Sequence, residues 1–406
     1  MEKLTDSSTS IRHLYTKTRK KGVSFMKIGI IGNYGHDNNG DEAILTGILT
    51  QLTEHLSVKI EDIIIFSNNP QNTIHRYGVS AVKLLHKKGN ILMSIAATVK
   101  GSFPIMKQLD VLIIGGGGLL MDMYKRDAPL YSTLGVLGHY ARCKVIIYGV
   151  GAGPIRTRAG SFFIKKLLAK SDSISVRDEQ SKQLLASIGV KKSIEVIGDP
   201  AFSVSSPRDR IKSNSIRTVA VTAVPYYSER YWPKADPEKY TSYITGMAQN
   251  LDRLITDKDV ELTFFSTKYP QDVEVTKEIV AKMNNKKNIQ ILTDNLYPEK
   301  ILSICTDQDL VIGTRLHSLI LALTAETPVI GIGYHQKVKD FMATINKQTH
   351  FVDIAELSLH DDFFLALAEE MEKSWDDVQA EFAAISDRLK NEAKKGLKQL
   401  AKEKHP

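Results

Sequence analysis

Through most of its length the chain alternates short runs of consecutive apolar residues with amphipathic stretches. No other feature limits its possible folds as much. In the first half the runs fall at Lys27–Gly32, Asp62–Phe66, Val111–Gly115, Lys144–Val150, Ser173–Arg177 and Glu195–Gly198, with amphipathic stretches such as Glu42–Leu56 and Glu179–Ile188 between them. A second series occupies Thr218–Ala223, Glu261–Ser266, Asn288–Leu292, Leu310–Gly313 and Pro328–Gly333. A strand with one wet face alternates apolar and polar residues, whereas a continuous apolar run is covered on both faces. That points to parallel sheets sandwiched between crossover helices. The polar segment Ser203–Arg217, rich in serine and carrying Pro207, separates the two series. The expected fold is α/β, with doubly wound parallel-sheet domains at 27–205 and 218–356 joined by a linker at 206–217. The carboxyl ends of their strands face a central cleft.

The ends read differently. From Asp361 onward Phe364, Leu367, Met371, Trp375, Val378, Phe382, Ile385, Leu389, Ala393, Leu397 and Leu400 recur at spacings of three and four. One unbroken helix would run about 60 Å, and Ser374 followed by Asp377 suggests a restart. Two helices packed along the body are therefore expected over 357–406; the other reading of the stripe is a coiled-coil partner, and a homo-oligomer stays open. Residues 1–26 show no periodicity and read as a disordered basic arm. The formal charge is +8, but the first 26 residues hold six basic and two acidic side chains, and residues 388–406 hold seven and two. The body between them is close to neutral, which argues against a nucleic-acid binder with a basic stripe on its folded surface. Basic ends suit solvent or an anionic membrane surface. No apolar run approaches the roughly 18 residues of a membrane span, and the first residues lack the apolar core of a signal peptide. Cys143 and Cys305 sit in apolar surroundings and read as reduced core thiols. The expected place is the cytoplasm, with the inner face of the membrane within reach.

Chemistry is written at the strand ends. Asp309-Leu-Val-Ile-Gly-Thr-Arg-Leu-His-Ser-Leu-Ile-Leu-Ala-Leu323 reads as a buried strand, a turn at Gly313-Thr314, and a helix with Arg315 and His317 in its first turn, capped by Thr314. Free N–H groups, the positive dipole end, a guanidinium and an imidazole would converge there, a site for a small polyanion beside a titratable group. The plainer reading of the pair is an arginine forked to a nearby carboxylate and a packed imidazole. The first strand runs into Gly29-Ile-Ile-Gly32-Asn-Tyr-Gly35-His-Asp-Asn-Asn-Gly40-Asp41. This spacing is not the dinucleotide fingerprint; Asn33, Gly35 and Asp41 suit contact with ligand hydroxyls, with Asp41 also placed to cap the next helix. Gly115–Gly118 and the series Gly149, Gly151, Gly153 follow neighbouring strands, and loops so poor in side chains leave backbone N–H groups open to a ligand. Arg177-Asp178, Asp199-Pro200 and Tyr334-His-Gln-Lys337 end further strands. No histidine or carboxylate cluster has metal-ligand spacing.

The ordered set G-x-x-G-x-x-G, N-x-GDEAIL, D-x-LIIGGGGLL, GVG-x-GPI, VRD-x-x-S, GDPAF, G-x-RLHS and Y-x-x-K, running from Lys27 to Met342, resembles the polysaccharide pyruvyltransferase family. The resemblance implies a fold similar to GT-B glycosyltransferases, with two Rossmann-like halves. It implies transfer of a pyruvyl group from phosphoenolpyruvate to two hydroxyls of a sugar, as a cyclic ketal with release of phosphate. On that basis Arg177, Arg315 and Lys337, with Gly149, Gly151 and Gly153, are expected to bind the donor. Asn33, Gly35, Asp41, Gly116 and Gly117 are expected at the acceptor, a nucleotide- or lipid-linked sugar. Catalysis would fall to His317 as acid and Arg315, with Asp41 and the substrate's own phosphate as equal candidates for the base. Neither a cofactor nor a metal is implied, and phosphoenolpyruvate serves as co-substrate. Two other readings share the architecture: a GT-B glycosyltransferase with a nucleotide-sugar donor, and a non-catalytic phosphosugar-binding protein.

Overall fold

The computed structural model describes residues 26–401 except Lys125 and Pro207. Its first sheet contains β1 (Ile28–Ile31), β2 (Ile63–Ser67), β3 (Ser80–Lys83), β4 (Val111–Gly115), β5 (Lys144–Val150), β6 (Ser173–Val176) and β7 (Glu195–Val196). All pair in parallel, in the order β3-β2-β1-β4-β5-β6-β7. The crossovers are α1 (Asn39–Thr50), α2 (Pro70–Tyr77), α3 (Ile91–Met106), α4 (Asp127–Tyr140), α5 (Arg158–Lys170) and α6 (Glu179–Ser187). Central strands such as Ile-Gly-Ile-Ile in β1 and Val-Leu-Ile-Ile-Gly in β4 are buried throughout, so helices must cover both faces. Several helices start where a polar side chain accepts an otherwise unpaired N–H: Asn69 before Pro70, Asn90, Thr157 and Asp178.

The second sheet holds β8 (Thr218–Val221), β9 (Glu261–Phe264), β10 (Ile289–Ile291), β11 (Leu310–Gly313), β12 (Val329–Gly333) and β13 (Phe351–Asp353), again all parallel, in the order β10-β9-β8-β11-β12-β13. Its helices are α7 (Pro237–Lys258), α8 (Gln271–Lys282), α9 (Pro298–Thr306), α10 (Leu316–Thr324) and α11 (Gln336–Thr344). Strand order reverses between β1 and β4 and again between β8 and β11. The loops leaving those strands open a crevice at each switch point. Two strands are additional to the sequence reading, β3 and β13. Both are short edge strands with half-exposed residues, so neither needs the apolar run that marks the others.

The chain ends in α12 (Phe363–Glu372) and α13 (Trp375–Ala401), with the break at Lys373-Ser374. The long helix α13 spans about 40 Å and touches both halves. Near its start Gln379 Oε1 accepts from Arg210 Nη1 at 3.1 Å and from the Ser213 N–H at 3.0 Å, pinning the segment between the sheets. Lys390 pairs with Glu326 at 3.0 Å. Near its end Gln399 Oε1 accepts from Ser175 Oγ at 2.7 Å and its Nε2 donates to Ser173 Oγ at 2.8 Å, on the first sheet. The larger apolar core runs on through both halves, from Ile44 and Tyr148 to Ile320, Phe382 and Leu389.

The two helices match the expectation for 357–406, and the basic residues from 388 onward sit on the second of them. Through Ala401 this end of the chain is a helix that buries Leu389, Ala393, Gly396, Gln399 and Leu400, while 402–406 lie outside the described residues. So does the basic arm expected over 1–26, Met26 excepted. Cys143 and Cys305 are free and buried. Among the described residues no helix is long and apolar enough to cross a membrane.

The seat of α13 is tightest at Gly396, where a Cβ would lie 2.1 Å from Tyr148 Oη and 2.8 Å from Ile197 Cδ1. Gly396→Val is expected to lower stability by about 1–3 kcal/mol, the usual cost of overpacking. Lys395→Ala, on the exposed side of the same turn, is expected to stay within about 0.5 kcal/mol. Urea unfolding of both variants measures the difference, and equal midpoints would show that α13 is not held there.

Candidate active site

The loop after β1 sets the first wall of the crevice. Asn38 caps α1 by accepting the Gly40 N–H, so Asp41 is not the cap expected from sequence but a residue of the first turn. Its carboxylate accepts from Asn33 Nδ2 at 2.8 Å and Asn38 Nδ2 at 2.7 Å. Burial raises the Asp41 pKa, and the two amides and the neighbouring His317 and Lys337 only partly oppose this. Gly35 turns inward: its N–H donates to Glu42 Oε1 at 2.7 Å, and a Cβ there would meet Ser67 Oγ at 2.4 Å. It shapes the loop and does not face the cleft. In the loop after β4, Gly116 lies against Ile44, where a Cβ would come within 1.8 Å of a methyl. A Cβ at Gly117 would sit 2.9 Å from Asp41 Oδ1 and one at Gly118 3.3 Å from Lys337 Nζ.

The loops after β5, β6 and β7 set the next stretch. Gly149 packs on the Pro200 ring, with a would-be Cβ at 2.8 Å, and is spent on the fold. Gly151 lies under the Arg177 guanidinium and Gly153 against Leu184. Arg177 Nε donates to Asp178 Oδ2 and its Nη1 to Asp199 Oδ2, each at 3.3 Å. Asp199 follows β7 and also accepts the Ala201 N–H at 3.0 Å. Burial alone would raise its pKa, but His317, Arg177 and that N–H outweigh burial and hold it below the ordinary carboxylate range.

The second half supplies the facing wall. Thr314 does not cap α10; its hydroxyl donates to the Thr222 carbonyl at 3.1 Å, and Arg315 stands at the cap position without a side-chain cap. Arg315 is forked onto Asp272, Nε to Oδ2 at 2.8 Å and Nη2 to Oδ1 at 2.6 Å. Asp272 is fully buried and also accepts the N–H groups of Thr267 and Lys268. Burial disfavours the Arg315 charge, yet Asp272 more than restores it and raises the pKa. The Nε–Nη2 edge of Arg315 is therefore engaged by protein, and the guanidinium props the loop before α8 against α10.

His317 crosses to the first half. Its Nε2 lies 3.7 Å from Asp199 Oδ2, too far for a hydrogen bond, and is buried without a partner. A Cβ at Gly40 would fall 2.7 Å from His317 Nδ1, so only glycine lets α1 approach the imidazole. Lys337 sits in the first turn of α11. Its ammonium has no ion-pair or hydrogen-bond partner among the described residues, and burial, then the Arg177 charge, lower its pKa. Lys268 is lowered in the same way by burial and Arg315.

Several of these residues border two cavities, whereas His317, Arg315 and Asp272 line neither. One, about 140 Å³, lies between the halves and is lined by Gly118, Gly151, Gly153, Arg177, Asp199 and Lys337. The other, about 470 Å³, is lined by Asn33, His36, Asn38, Asp41, Asp127 and Lys268. Gly118 borders both. The arrangement puts a small pocket that holds Arg177 and Lys337 among the carboxylates Asp178, Asp199, Asp340 and Glu392 beside a larger one with hydroxyl-binding groups. Among the described residues no cluster of three or more histidine, cysteine or carboxylate side chains could hold a metal.

Sequence reasoning did not single out Asp199, Asp272, Lys268 or His36 as site residues. Asp199 carried a signal, an acid at the carboxyl end of a strand in line with the others. Asp272 carried none, because its role depends on a partner 43 positions away.

The profile of the polysaccharide pyruvyl transferase family matches residues 38–336. The chain is 22% identical over 401 residues to the amylovoran biosynthesis protein AmsJ of Erwinia amylovora, covering 88% of this chain and 95% of that one. Its fold is similar to a putative UDP-N-acetylglucosamine 2-epimerase from Listeria monocytogenes, with a TM-score of 0.62 at 13% identity over 93% of this chain and 95% of that one. It is also similar to UDP-GlcNAc 2-epimerase from Neisseria meningitidis, with a TM-score of 0.62 at 11% identity over 93% and 99%. A glycosyltransferase from Rickettsia africae shares the architecture at a TM-score of 0.58 and 14% identity, over 94% and 98%. The fold is thus GT-B-like, and with the family profile matching most of its length, the chain belongs to the polysaccharide pyruvyl transferase family.

Proposed function

We propose that the protein transfers the pyruvyl group of phosphoenolpyruvate to two hydroxyls of a sugar in a polysaccharide precursor, forming a cyclic ketal and releasing phosphate. One observation carries the reading. Arg177 and Lys337, from opposite halves, line a cavity of about 140 Å³, and the Lys337 ammonium has no ion-pair or hydrogen-bond partner among the described residues. That volume falls below the roughly 300–1,000 Å³ of drug-sized sites, so it suits a three-carbon phosphate better than a nucleotide sugar. Phosphoenolpyruvate brings two anionic groups, one for the Arg177 guanidinium and one for the ammonium.

In this reading His317 delivers a proton to the methylene carbon and C2 becomes electrophilic. Asp41 lies in the adjoining cavity, where its raised pKa suits a base, and takes the proton of the attacking sugar hydroxyl. The C2–O bond to the sugar forms, the bond to phosphate breaks, and the second hydroxyl closes the ketal. Of the two hydroxyl protons given up, one balances the new methyl group and the other leaves on phosphate. Asp199 stays ionised, orients Arg177 and faces the imidazole.

His317→Gln is expected to bind phosphoenolpyruvate nearly normally and to lose turnover by roughly 100-fold to 10,000-fold, the range for removing a general acid. Single-turnover kinetics with calorimetric donor titration checks this, and near wild-type turnover would move proton delivery elsewhere. Arg177→Lys is expected to weaken donor binding by roughly 10-fold to 100-fold, the loss of one charged hydrogen bond. Arg315→Ala is instead expected to cost about 3–5 kcal/mol of stability by stranding Asp272, read by chemical unfolding. Wild-type donor affinity in Arg177→Lys, or wild-type stability in Arg315→Ala, would reverse the two assignments.

Donor affinity is also expected to depend on pH through Lys337. A lysine binds an anion only while protonated, and this one has its pKa lowered from 10.5. Affinity should therefore be full at neutral pH and fall on the alkaline side sooner than for an ordinary lysine. Lys337→Arg, charged across the range, should flatten that limb; an unchanged limb in a titration series would take Lys337 out of the donor pocket.

A further inference from the structure

Beside the larger cavity the two halves meet along a polar seam. The Asn39 N–H donates to the Thr267 carbonyl at 2.8 Å and the Tyr269 N–H to the Asp37 carbonyl at 3.3 Å. Between them Asn38 and Lys268 form an antiparallel bridge. The loop after β1 thus pairs with the loop after β9 as two short strands would. Asn38 and Lys268, at the centre of the seam, both line the cavity that also holds Asp41. That cavity has its full wall only while the two loops stay joined.

Behind the seam lies Arg76, in the last turn of α2, its side chain only 2% exposed. It donates to Asp37 Oδ1 at 3.0 Å and Asn39 Oδ1 at 3.2 Å, within the first loop, and to Asn295 Oδ1 of the second half at 3.2 Å. Its guanidinium carbon stands 4.5 Å from the centre of the Tyr297 ring, also of the second half. Asn295 completes the circuit by donating through Nδ2 to Asp37 Oδ1 at 2.9 Å. Asp37 has a left-handed backbone, with φ at 54°, a conformation that persists only when its surroundings hold it. We infer that Arg76 is a positioning residue: it clasps Asn295 and Tyr297 and so sets the loop bearing Asn38, Gly40 and Asp41 against His317. The inference rests on the roles proposed above for Asp41 and His317. Gly40 approaches His317 so closely that no Cβ fits between them, so a small slip of the loop changes what the imidazole faces. The clasp is also built to release. Asn39 Nδ2, Thr267 Oγ1 and Gln271 Oε1 are buried at the seam without a protein hydrogen-bond partner, and water entering an opened seam would satisfy them.

Hydrogen exchange read by mass spectrometry, with calorimetric titration of phosphoenolpyruvate, tests this on the full chain without an acceptor. The double substitution Asn295→Ala and Tyr297→Ala removes the second half's grip and leaves Arg76 its contacts with Asp37 and Asn39. It is expected to speed exchange in segments 36–40 and 266–270 at least tenfold. Phosphoenolpyruvate, whose pocket is lined from both halves, should bind about tenfold more weakly, the worth of one or two hydrogen bonds. Tyr297→Phe keeps the ring and should match the wild type in both measurements. Arg76→Lys keeps the charge but cannot reach Asn39 and Asn295 together, and its exchange should follow the double variant. Tyr297 is 40% exposed, so the urea midpoint of the double variant should stay at the wild-type value. A midpoint that falls in step with affinity would make these contacts merely structural and overturn the inference, as would wild-type exchange and affinity in the double variant. Failure of the donor reading is separable: phosphoenolpyruvate would bind no form of the protein, while the double variant would still exchange faster at the seam.

Discussion

Asp199 is the carboxylate on which the cleft turns. It accepts from Arg177 of its own half at 3.3 Å and faces His317 of the other at 3.7 Å. Around it stand Arg177, Lys337 and His317, and Asp178 and Asp41 share in balancing them. Lys337 and Lys268 are both pushed toward neutrality by burial and by the arginines beside them, an arrangement unfavourable in itself that an arriving anion relieves. Apolar packing holds the two walls in place whether or not the charges are matched, because the core behind them is continuous. The site is thus assembled at the expense of the local electrostatics, and the fold's hydrophobic burial offsets that cost.

How far the sequence could be read follows from which interactions are local. The buried strands announced themselves, since a residue such as Ile113 or Ile312, covered on both faces, has to sit in an apolar run. The edge strands β3 and β13 did not, because one side of each meets solvent. The positions of Asn33, Asp41, Arg177, His317 and Lys337 at strand ends followed from the same periodicity. What could not be read was which side chain each would meet. The fork of Arg315 onto Asp272 joins residues on different helices, and nothing near either marks the pair. Gly35 and Gly149 show the matching limit for glycine: a loop poor in side chains looks the same whether a ligand or Ser67 and Pro200 fills the space.

The C-terminal stripe is a further case. Its spacing of three and four established a helix with one apolar face, but not that the face would be divided between two domains. Gln51 shows why the division is stable. It accepts from Tyr148 Oη and donates through Nε2 to Ser203 Oγ at 2.7 Å and to the Ala393 carbonyl at 3.2 Å. One buried amide thereby ties α1, the strand β5, the end of the first domain and α13 together.

That seat for α13 has a mechanical consequence. The polypeptide passes between the halves once in the segment after β7 and returns within α13, so the halves are joined at two separate places. Bodies joined at one point can swivel in any direction; bodies joined at two are left with rotation about the line through both. Any rotation that the shared core permits is accordingly confined to an axis on the side of the linker and α13. Such an axis keeps His317 and Lys337 of one half in register with Asp199 and Arg177 of the other.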